Sequence, residues 1–252
     1  MSEVNQIERD SLEFNSDIWF TVRDKLAIKA LTINFLPSWW NKNYKVSFGK
    51  KYIFDPDYRV ETARYMSRII NQRFSDLIVG SKNPQPQVVL PNLVNACGVA
   101  SAGGEIFYPE DNYPWSKHLS REAIEKLKLP ENVEDVFPYN EVISQVKYLN
   151  NKLDKDEKPY LWKNGVLNDA IHIMGDQLLL GLASRDNVAK KMLDYSYGMW
   201  IRTIDYNNKF VSFPDIVMLC NCTTIMVGPT RYEESLFSYD RNIIQRFYDI
   251  NI

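Results

Sequence analysis

Cysteine and histidine are scarce in this chain, which has three cysteines and two histidines among 252 residues. The cysteines, Cys97, Cys220 and Cys222, are odd in number and lack the paired spacing of a disulfide-stapled secreted domain. A structural zinc site needs four protein ligands, and these few residues show no recognised ligand spacing. The sequence therefore predicts a reducing, cytoplasmic setting and no metal site.

Long apolar runs and clusters of one charge are also missing. No uninterrupted apolar stretch approaches the roughly 20 residues that a membrane-spanning helix requires, and the polar stretch 1–17 lacks the apolar core of a signal peptide. The 30 Lys and Arg residues nearly balance the 32 Asp and Glu residues, for a net charge of -2. No basic run offers a footprint for nucleic acid. These features predict a chain that binds neither membranes nor nucleic acids.

The residues that are abundant indicate a folded domain. Hydrophobic residues make up 45% and aromatic residues 13% of the sequence, which is enough apolar surface for a substantial core. Four apolar segments have the composition of buried strands: 27–35, 88–90, 160–162 and 216–219. Apolar residues at helical spacing lie between and after them, at 58–74, 92–104, 139–153, 165–182, 187–204 and 229–248, and a helix entry is expected at Ser120.

Strands that alternate with helices predict a parallel sheet, because parallel neighbours need a long crossover connection. The expected fold class is therefore α/β: a partial TIM (β/α)8 barrel of about four βα units with an N-terminal helical or loop extension. A polar leader would occupy residues 1–26 and the barrel domain residues 27–252. Four units leave two open sheet edges, which invite pairing. We therefore expect a homo-oligomer or a second chain that supplies the complementary half-barrel.

Three blocks of the sequence resemble the uroporphyrinogen decarboxylase-like superfamily, which also contains methyltransferases that move methyl groups between corrinoids and thiols. The first block runs from Trp39 to Gly80 and includes the segment FDPDYRVE. The second runs from Leu90 to Asp111 and ends in GGEIFYPED. The third covers Tyr160 to Asp194, YLWKNGVLNDAIHIMGDQLLLGLASRDNVAKKMLD, and resumes at Asn221 to Tyr239, NCTTIMVGPTRYEESLFSY. The resemblance implies a barrel that acts on a small molecule or a tetrapyrrole.

Two departures from the family pattern bear on the reaction. The resembling decarboxylases hold pyrrole nitrogens with an aspartate after the second strand, whereas this chain has Leu90-Pro91-Asn92-Leu93-Val94-Asn95 there, without a carboxylate. The zinc-dependent methyltransferases of the family use a His-x-Cys pair after the fifth strand, and this chain ends at Ile252, before an expected fifth strand. The resemblance thus implies no cofactor within this chain and a corrinoid only through a partner.

Two functions remain open at this point. The first is an enzyme or enzyme subunit, a methyltransferase or a decarboxylase of the lyase class, that becomes active when a partner completes it. The second is a catalytically silent binding or assembly protein that retains the scaffold. The overall resemblance favours the first for a completed complex, and the missing aspartate and His-x-Cys pair favour the second for this chain alone.

Candidate site residues follow the predicted strands, because a barrel carries its active site at the C-terminal strand ends. The catalytic candidate is His172, which falls about where the resembling decarboxylases place an active-site tyrosine; an imidazole there could transfer a proton near neutral pH. The alternative is a packing residue in an apolar helix. The predicted substrate-binding side chains are polar or aromatic, with ordinary packing and turn-closing roles as their alternative: Trp39, Trp40, Asn92, Asn95, Asn164, Asn168, Asn221, Cys222 and Thr223.

Overall fold

The computed structural model of the protein describes residues 19–22, 31–75, 79–91, 93, 95–161, 163–210 and 219–249, with backbone alone at 19–22 and 31–34. These residues belong to two compact units. The first unit takes its described residues from 1–92, 108–113 and 145–157. The second unit takes them from 93–107, 114–144 and 158–252. The polar leader predicted at 1–26 lies almost wholly outside the described residues, and the single domain predicted over 27–252 stays a prediction.

Helices dominate the described residues. The α-helices found there, in chain order, are α1 (Pro37–Tyr44), α2 (Lys50–Phe54), α3 (Pro56–Arg73), α4 (Ala96–Ser101), α5 (Arg121–Lys126), α6 (Tyr139–Leu153), α7 (Val166–Met174), α8 (Gln177–Ser184), α9 (Asn187–Phe210), α10 (Gly228–Ser235) and α11 (Phe237–Asp249). Two 3-10 turns occupy Val133–Asp135 and Cys222–Met226. The strands found among the described residues form antiparallel pairs: β1 (Trp19–Val22) with β2 (Leu31–Asn34), and β3 (Ile106–Phe107) with β4 (Trp115–Ser116).

The predicted partial TIM barrel is wrong. The described residues are mostly helical and contain no parallel strand pair. Residues 31–34 of the first predicted strand do form β2, but it pairs antiparallel with β1. Residues 88–90 and 160–161 have irregular backbone, while Trp162 and residues 216–218 lie outside the described residues. A three-residue apolar run can be buried as a strand or as the approach to a helix, and hydrophobic periodicity does not separate the two.

The predicted helices agree better with the structure. The helix expected at 139–153 is α6, with the same ends, and the one expected at 58–74 is α3. The long helix expected at 165–182 is instead divided at Gly175, whose φ of 70° is a conformation that glycine adopts without steric cost. The helix expected at 229–248 is likewise divided, at Leu236.

The first unit is organised around Arg59, a fully buried cation on α3. Its guanidinium donates hydrogen bonds to the backbone carbonyls of Tyr52 at 2.8 Å, Ile53 at 3.0 Å and Val89 at 3.0 Å, and to the side-chain oxygen of Gln145. Since a planar guanidinium carries five donors in a fixed fork, one side chain satisfies several buried carbonyls at once. Arg59 thus connects α2, α3, α6 and the segment at Val89.

The second unit is built on α9, which packs against α5, α7, α8 and α11. Its fully buried side chains include Met192 and Met199, and the apolar face of α7 supplies Val166, Leu167 and Ile173. These side chains belong to one continuous hydrophobic core. The core therefore fixes α7, and with it the residues just before its first turn. Every helix among the described residues is too short or too polar to cross a lipid bilayer.

Candidate functional site

The candidate site lies in the second unit, where two irregular segments end side by side. Residues 163–165 lead into α7, and residues 219–221 lead into the 3-10 turn at Cys222–Met226. The backbone N–H of Gly165 donates to the carbonyl oxygen of Cys220 at 3.0 Å. This hydrogen bond joins two parts of the chain that are far apart in sequence. The side chains of both segments therefore meet at the start of α7.

Gly165 makes the close approach of the two segments possible. A β-carbon on this residue would lie 2.1 Å from Oδ1 of Asn221 and 2.8 Å from the carbonyl oxygen of Cys220, both far inside van der Waals contact. Since Gly165 is also the N-cap of α7, the helix begins without a side-chain hydrogen bond from its cap. The first N–H groups of α7 thus start at this junction.

Asn168 holds the 3-10 turn against α7. Its Oδ1 accepts hydrogen bonds from the backbone N–H of Thr223, at 3.1 Å, and from the Thr223 hydroxyl. Its Nδ2 lies 3.2 Å from Sγ of Cys222 and 3.7 Å from Sγ of Cys220. These contacts give both sides of the Asn168 amide a partner within the protein.

Asn221 is held by a buried carboxylate. Its Nδ2 donates to both carboxylate oxygens of Asp240, at 3.0 Å each, and the hydroxyl of Tyr232 donates to the same carboxylate at 2.8 Å. Burial raises the pKa of Asp240, and the hydrogen bonds from Tyr232 and Asn221 oppose that rise. Burial, followed by the hydrogen bond to Asp240, raises the pKa of Tyr232 to about 12. The Tyr232 hydroxyl is therefore protonated at neutral pH and acts as a donor.

Two buried amide atoms at this junction have no hydrogen-bond partner among the described residues: Nδ2 of Asn164 and Oδ1 of Asn221. Asn164 is 4% exposed, and its backbone carbonyl accepts a hydrogen bond from Nε1 of Trp200. An unpaired buried polar group costs about 1–3 kcal/mol, so such atoms call for an explanation. We name Asn164, Asn168 and Asn221 the amide cluster. It has one donor atom and one acceptor atom without a partner in the part of the chain that the structure describes.

A buried ion pair lies beside the amide cluster. Nζ of Lys163 contacts Oδ2 of Asp169, and both side chains are 1% exposed. The other oxygen, Oδ1, lies 2.2 Å from where a β-carbon on Gly98 would stand, and it has no hydrogen-bond partner among the described residues. Asp169 is in the first turn of α7, where the helix dipole favours a negative charge. Charges this deeply buried persist only when they are paired.

Cys97 and Tyr139 stand near the ion pair with their protons retained. Sγ of Cys97 is 3.9 Å from the hydroxyl of Tyr139. Burial raises the pKa of Cys97 to about 11, although the charge of Lys163 opposes the rise. Burial likewise raises the pKa of Tyr139 well above its ordinary value. Because the thiolate is the reactive form of cysteine, Cys97 is a poor nucleophile at neutral pH.

His172 is half-buried on α7, one helical turn after Asp169. Burial lowers the pKa of its imidazole; the charge of Asp169 opposes this shift and His118 adds to it. Nδ1 of His118 lies 3.1 Å from the backbone carbonyl oxygen of His172. The His172 imidazole is therefore neutral at pH 7 and able to accept a proton. Its catalytic role stays a prediction.

The remaining predicted side chains lie elsewhere. Trp39 and Trp40 are on α1 in the first unit, with their ring centroids 4.9 Å apart and Tyr44 packed against both. Trp40 is fully buried in this aromatic group. Asn95 precedes α4 with an exposed side chain that makes no capping hydrogen bond, and Asn92 lies outside the described residues.

The structure thus brings five of the predicted residues to one place: Asn164, Asn168, Asn221, Cys222 and Thr223. Sequence reasoning missed Lys163, Asp169 and Asp240. One signal was available, because a lysine and an aspartate within the otherwise apolar stretch 161–174 are both expected to be buried and hence to need a partner. Asp240 offered no such signal, since its neighbours Tyr239 and Arg241 fit a solvated helix.

Metal ligands are not grouped in the described residues: no three His, Cys, Asp or Glu side chains there are placed to hold a metal ion. Comparisons of the chain with protein-family models, with curated proteins and with solved structures gave no match. The structural class is therefore that of a mostly helical protein of two units, whose second unit carries a buried polar cluster at the start of α7.

Proposed function

We propose that this chain binds a small polar molecule at the amide cluster of the second unit. The observation that carries the proposal is the pair of unpartnered amide atoms, Nδ2 of Asn164 and Oδ1 of Asn221, at one junction. Binding sites are mostly apolar surfaces with a few precisely placed polar groups. A ligand that hydrogen-bonds to either atom would remove the cost of leaving that atom buried and unpaired.

The rigidity of the cluster supports this proposal. Asn221 is fixed by two hydrogen bonds to Asp240, and Asn168 is fixed by Thr223. Sites held in place in this way lose little conformational entropy when a ligand binds. Cys222 is exposed and Asn221 is half-buried, so the 3-10 turn is the side from which a ligand would enter.

For the chemistry, we propose the functions that the uroporphyrinogen decarboxylase-like resemblance implies: decarboxylation or corrinoid-dependent methyl transfer, by a subunit that a partner completes. The support is that every residue of the amide cluster comes from the third resembling block, Tyr160 to Asp194 and Asn221 to Tyr239. In that reaction His172 would transfer the proton, and a corrinoid would be held by the partner.

The second candidate is a catalytically silent binding protein. It is favoured by the pairing of the charges nearest the cluster: Lys163 is bound to Asp169, and Asp240 is bound to Asn221 and Tyr232. Charged side chains that are paired in this way hold neighbouring groups in position and do not take part in a reaction themselves. The same fold would then serve recognition alone.

We also propose that the chain works in the cytoplasm with a second copy or another protein. Its cysteines are free thiols. Large apolar side chains on the second unit face solvent, among them Ile225 at 87% and Met226 at 58% exposure, and exposed apolar groups of this kind often mark interaction surfaces.

Binding is tested by thermal unfolding of the chain against a panel of small neutral amides, lactams and hydroxy acids. We expect some of these compounds to raise the midpoint, and Asn164→Ala and Asn221→Ala to abolish that rise. Asn242→Ala, at an exposed position on α11, is the matched control and should retain it. A rise that survives both cluster variants would place the ligand elsewhere and overturn the proposal.

Chemistry is tested separately, by incubating the chain with methylcobalamin and a thiol, and with a porphyrinogen, with and without proteins that co-purify with it. Demethylation or loss of carbon dioxide that requires His172 supports the enzyme. Ligand binding without either reaction favours the silent binding protein.

A further inference from the structure

The two cysteines on either side of Asn221 bring their thiols to a single side-chain nitrogen. Sγ of Cys222 lies 3.2 Å and Sγ of Cys220 lies 3.7 Å from Nδ2 of Asn168. Because both distances start from one atom, the separation of the two sulfurs cannot exceed their sum. We propose that Cys220 and Cys222 form a reversible disulfide by exchange with a small aliphatic disulfide such as oxidised glutathione. This reaction is independent of the function proposed above.

The orientation of the Asn168 amide follows from its contact with Thr223. A backbone N–H only donates, so the Asn168 atom that lies 3.1 Å from the N–H of Thr223 must be the amide oxygen. The NH2 group, which has two hydrogens, therefore faces the two sulfurs, and sulfur is a weak acceptor. Thr223 directly follows Cys222, so one amide fixes both the backbone beside this cysteine and its sulfur. Asn168 is a positioning residue for the two thiols.

The backbone between the two cysteines suits a disulfide. Fully extended chain spans at most about 7 Å over two residues, and the Cα atoms of a disulfide are about 4.4–6.8 Å apart. The chain is bent at Asn221, which has φ -117° and ψ 47°, and the N–H of Asn221 donates to the carbonyl of Leu219 at 3.1 Å. Such a bend shortens the separation of the flanking Cα atoms. Closing the disulfide therefore requires rotation of the two side chains and little displacement of the backbone.

The unequal exposure of the two thiols sets the order of the exchange, because Cys222 is exposed and Cys220 is half-buried. The thiolate of Cys222 attacks one sulfur of the reagent; the S–S bond of the reagent breaks, and its other half leaves as a thiol with the proton that Cys222 gave up. Cys220 then attacks Sγ of Cys222, the mixed disulfide breaks, and a second thiol leaves with the proton of Cys220. The chain is oxidised by two electrons, and the reagent is reduced by two.

The disulfide should be easy to reduce. It would close a loop of only three residues, 220–222, and one of its sulfurs belongs to an exposed residue. Strained or exposed disulfides have more oxidising reduction potentials than structural ones, and are the labile kind. Disulfides of reducing compartments are likewise mostly transient. The pair would therefore follow the ratio of disulfide to thiol around the protein.

The test incubates the full, reduced chain with oxidised glutathione, alkylates the remaining thiols after denaturation and maps the products by mass spectrometry. We expect Cys220 and Cys222 to be linked to each other and Cys97 alone to be alkylated, because burial raises the pKa of Cys97 to about 11 and the thiolate is the attacking form. Cys220→Ser should stop at the mixed disulfide, with glutathione retained on Cys222. Cys97→Ser is the matched control and should form the disulfide at the wild-type rate.

The Asn168→Asp variant tests the positioning role. It keeps an oxygen for Thr223 but loses the NH2 group, so the mixed disulfide on Cys222 should persist about tenfold longer, as the loss of one hydrogen bond to a charged group allows. Resolution at the wild-type rate would remove the role given to Asn168. If this variant does not fold, the wild type and the serine variants decide alone. Glutathione that stays on Cys222 in the wild type, a disulfide that includes Cys97 or joins two chains, or no reaction overturns the proposal.

Discussion

At the scale of residues, Lys163 and Asp169 form a buried ion pair in the second unit. Both charges are 1% exposed. Replacing Lys163 by methionine leaves a buried carboxylate without its partner, so we expect Lys163→Met to lower the free energy of unfolding by about 3–5 kcal/mol. Chemical denaturation followed by circular dichroism measures the loss.

This prediction has two matched controls. The double variant Lys163→Met with Asp169→Leu removes both charges and should recover most of the lost stability, because no unpaired charge remains. Lys190→Met removes one partner of an exposed pair with Asp194 and should cost less than about 1 kcal/mol. A Lys163→Met loss no larger than that would show that the pair is hydrated.

His172 should make stability depend on pH. Burial lowers the pKa of its imidazole from 6.5, so the folded state favours the neutral form. The stability from this group is therefore present above pH 6.5 and is lost as the pH falls through the lowered folded pKa. Relative to His172→Gln, the wild type should lose stability as the pH falls below 6.5, measured by urea denaturation at each pH. An identical pH profile for wild type and His172→Gln would refute the prediction.

At the scale of elements, the start of α7 depends on the missing side chain of Gly165. A β-carbon there would lie 2.1 Å from Oδ1 of Asn221. We expect Gly165→Ala to destabilise the protein by about 1–3 kcal/mol and to shift the side-chain amide signals of Asn221. The double variant Gly165→Ala with Asn221→Ala removes the side-chain clash, so its loss should be smaller than the sum of the two single losses; Asn221→Ala alone costs the hydrogen bonds to Asp240. Additive losses would mean that the contact with the backbone of Cys220 dominates.

In the first unit, Arg59 joins helices through hydrogen bonds to the carbonyls of Tyr52, Ile53 and Val89. Lysine keeps the charge but not the planar fork, so Arg59→Lys should leave several buried carbonyls unpaired and cost about 2–4 kcal/mol. Arg68→Lys, at an exposed position of the same helix, should change little. Urea denaturation measures the free energy of unfolding of both variants. Equal losses would contradict the role given to the hydrogen bonds of Arg59.

The helices could largely be predicted from the sequence, whereas of the predicted strands one was found in part, as β2. In α6, the apolar residues Val142, Val146 and Leu149 recur at helical spacing over two turns, which indicates a helix. The runs at 88–90 and 160–162 span too few residues to show any period. Whether such a run pairs with a neighbour depends on contacts that are distant in the sequence, and those contacts decide β-structure.

The candidate site was predicted in part, for a related reason. Asn164 and Asn221 were identified because they follow predicted strands of a barrel, and the structure brings them together although that barrel is wrong. Their meeting through Gly165 and Cys220 depends on a tertiary hydrogen bond that no local pattern reports. The role of Asp240, in a helix of mixed polarity, is visible only once Asn221 is placed beside it.

At the scale of the whole molecule, the exposed apolar side chains Ile225 and Met226 give the proposed association a test. We expect native mass spectrometry of the chain purified from its own cells to show a second copy or another protein bound. Serine at both positions should weaken that association by removing apolar area from the interface, and it should leave the helical circular dichroism spectrum unchanged. Serine at Glu233, an exposed polar residue on α10, is the control. A stable monomer in wild type would refute the association.

The cysteines of the second unit differ in exposure, so they should react with thiol reagents at different rates. Cys222 is exposed, whereas burial raises the pKa of the half-buried Cys97 to about 11. At neutral pH a thiol-specific alkylating reagent should therefore modify the exposed Cys222 faster than Cys97, whose thiol is half-buried and keeps its proton. The ratio of the two labelling rates would then report how far the second unit protects the Cys97 thiol.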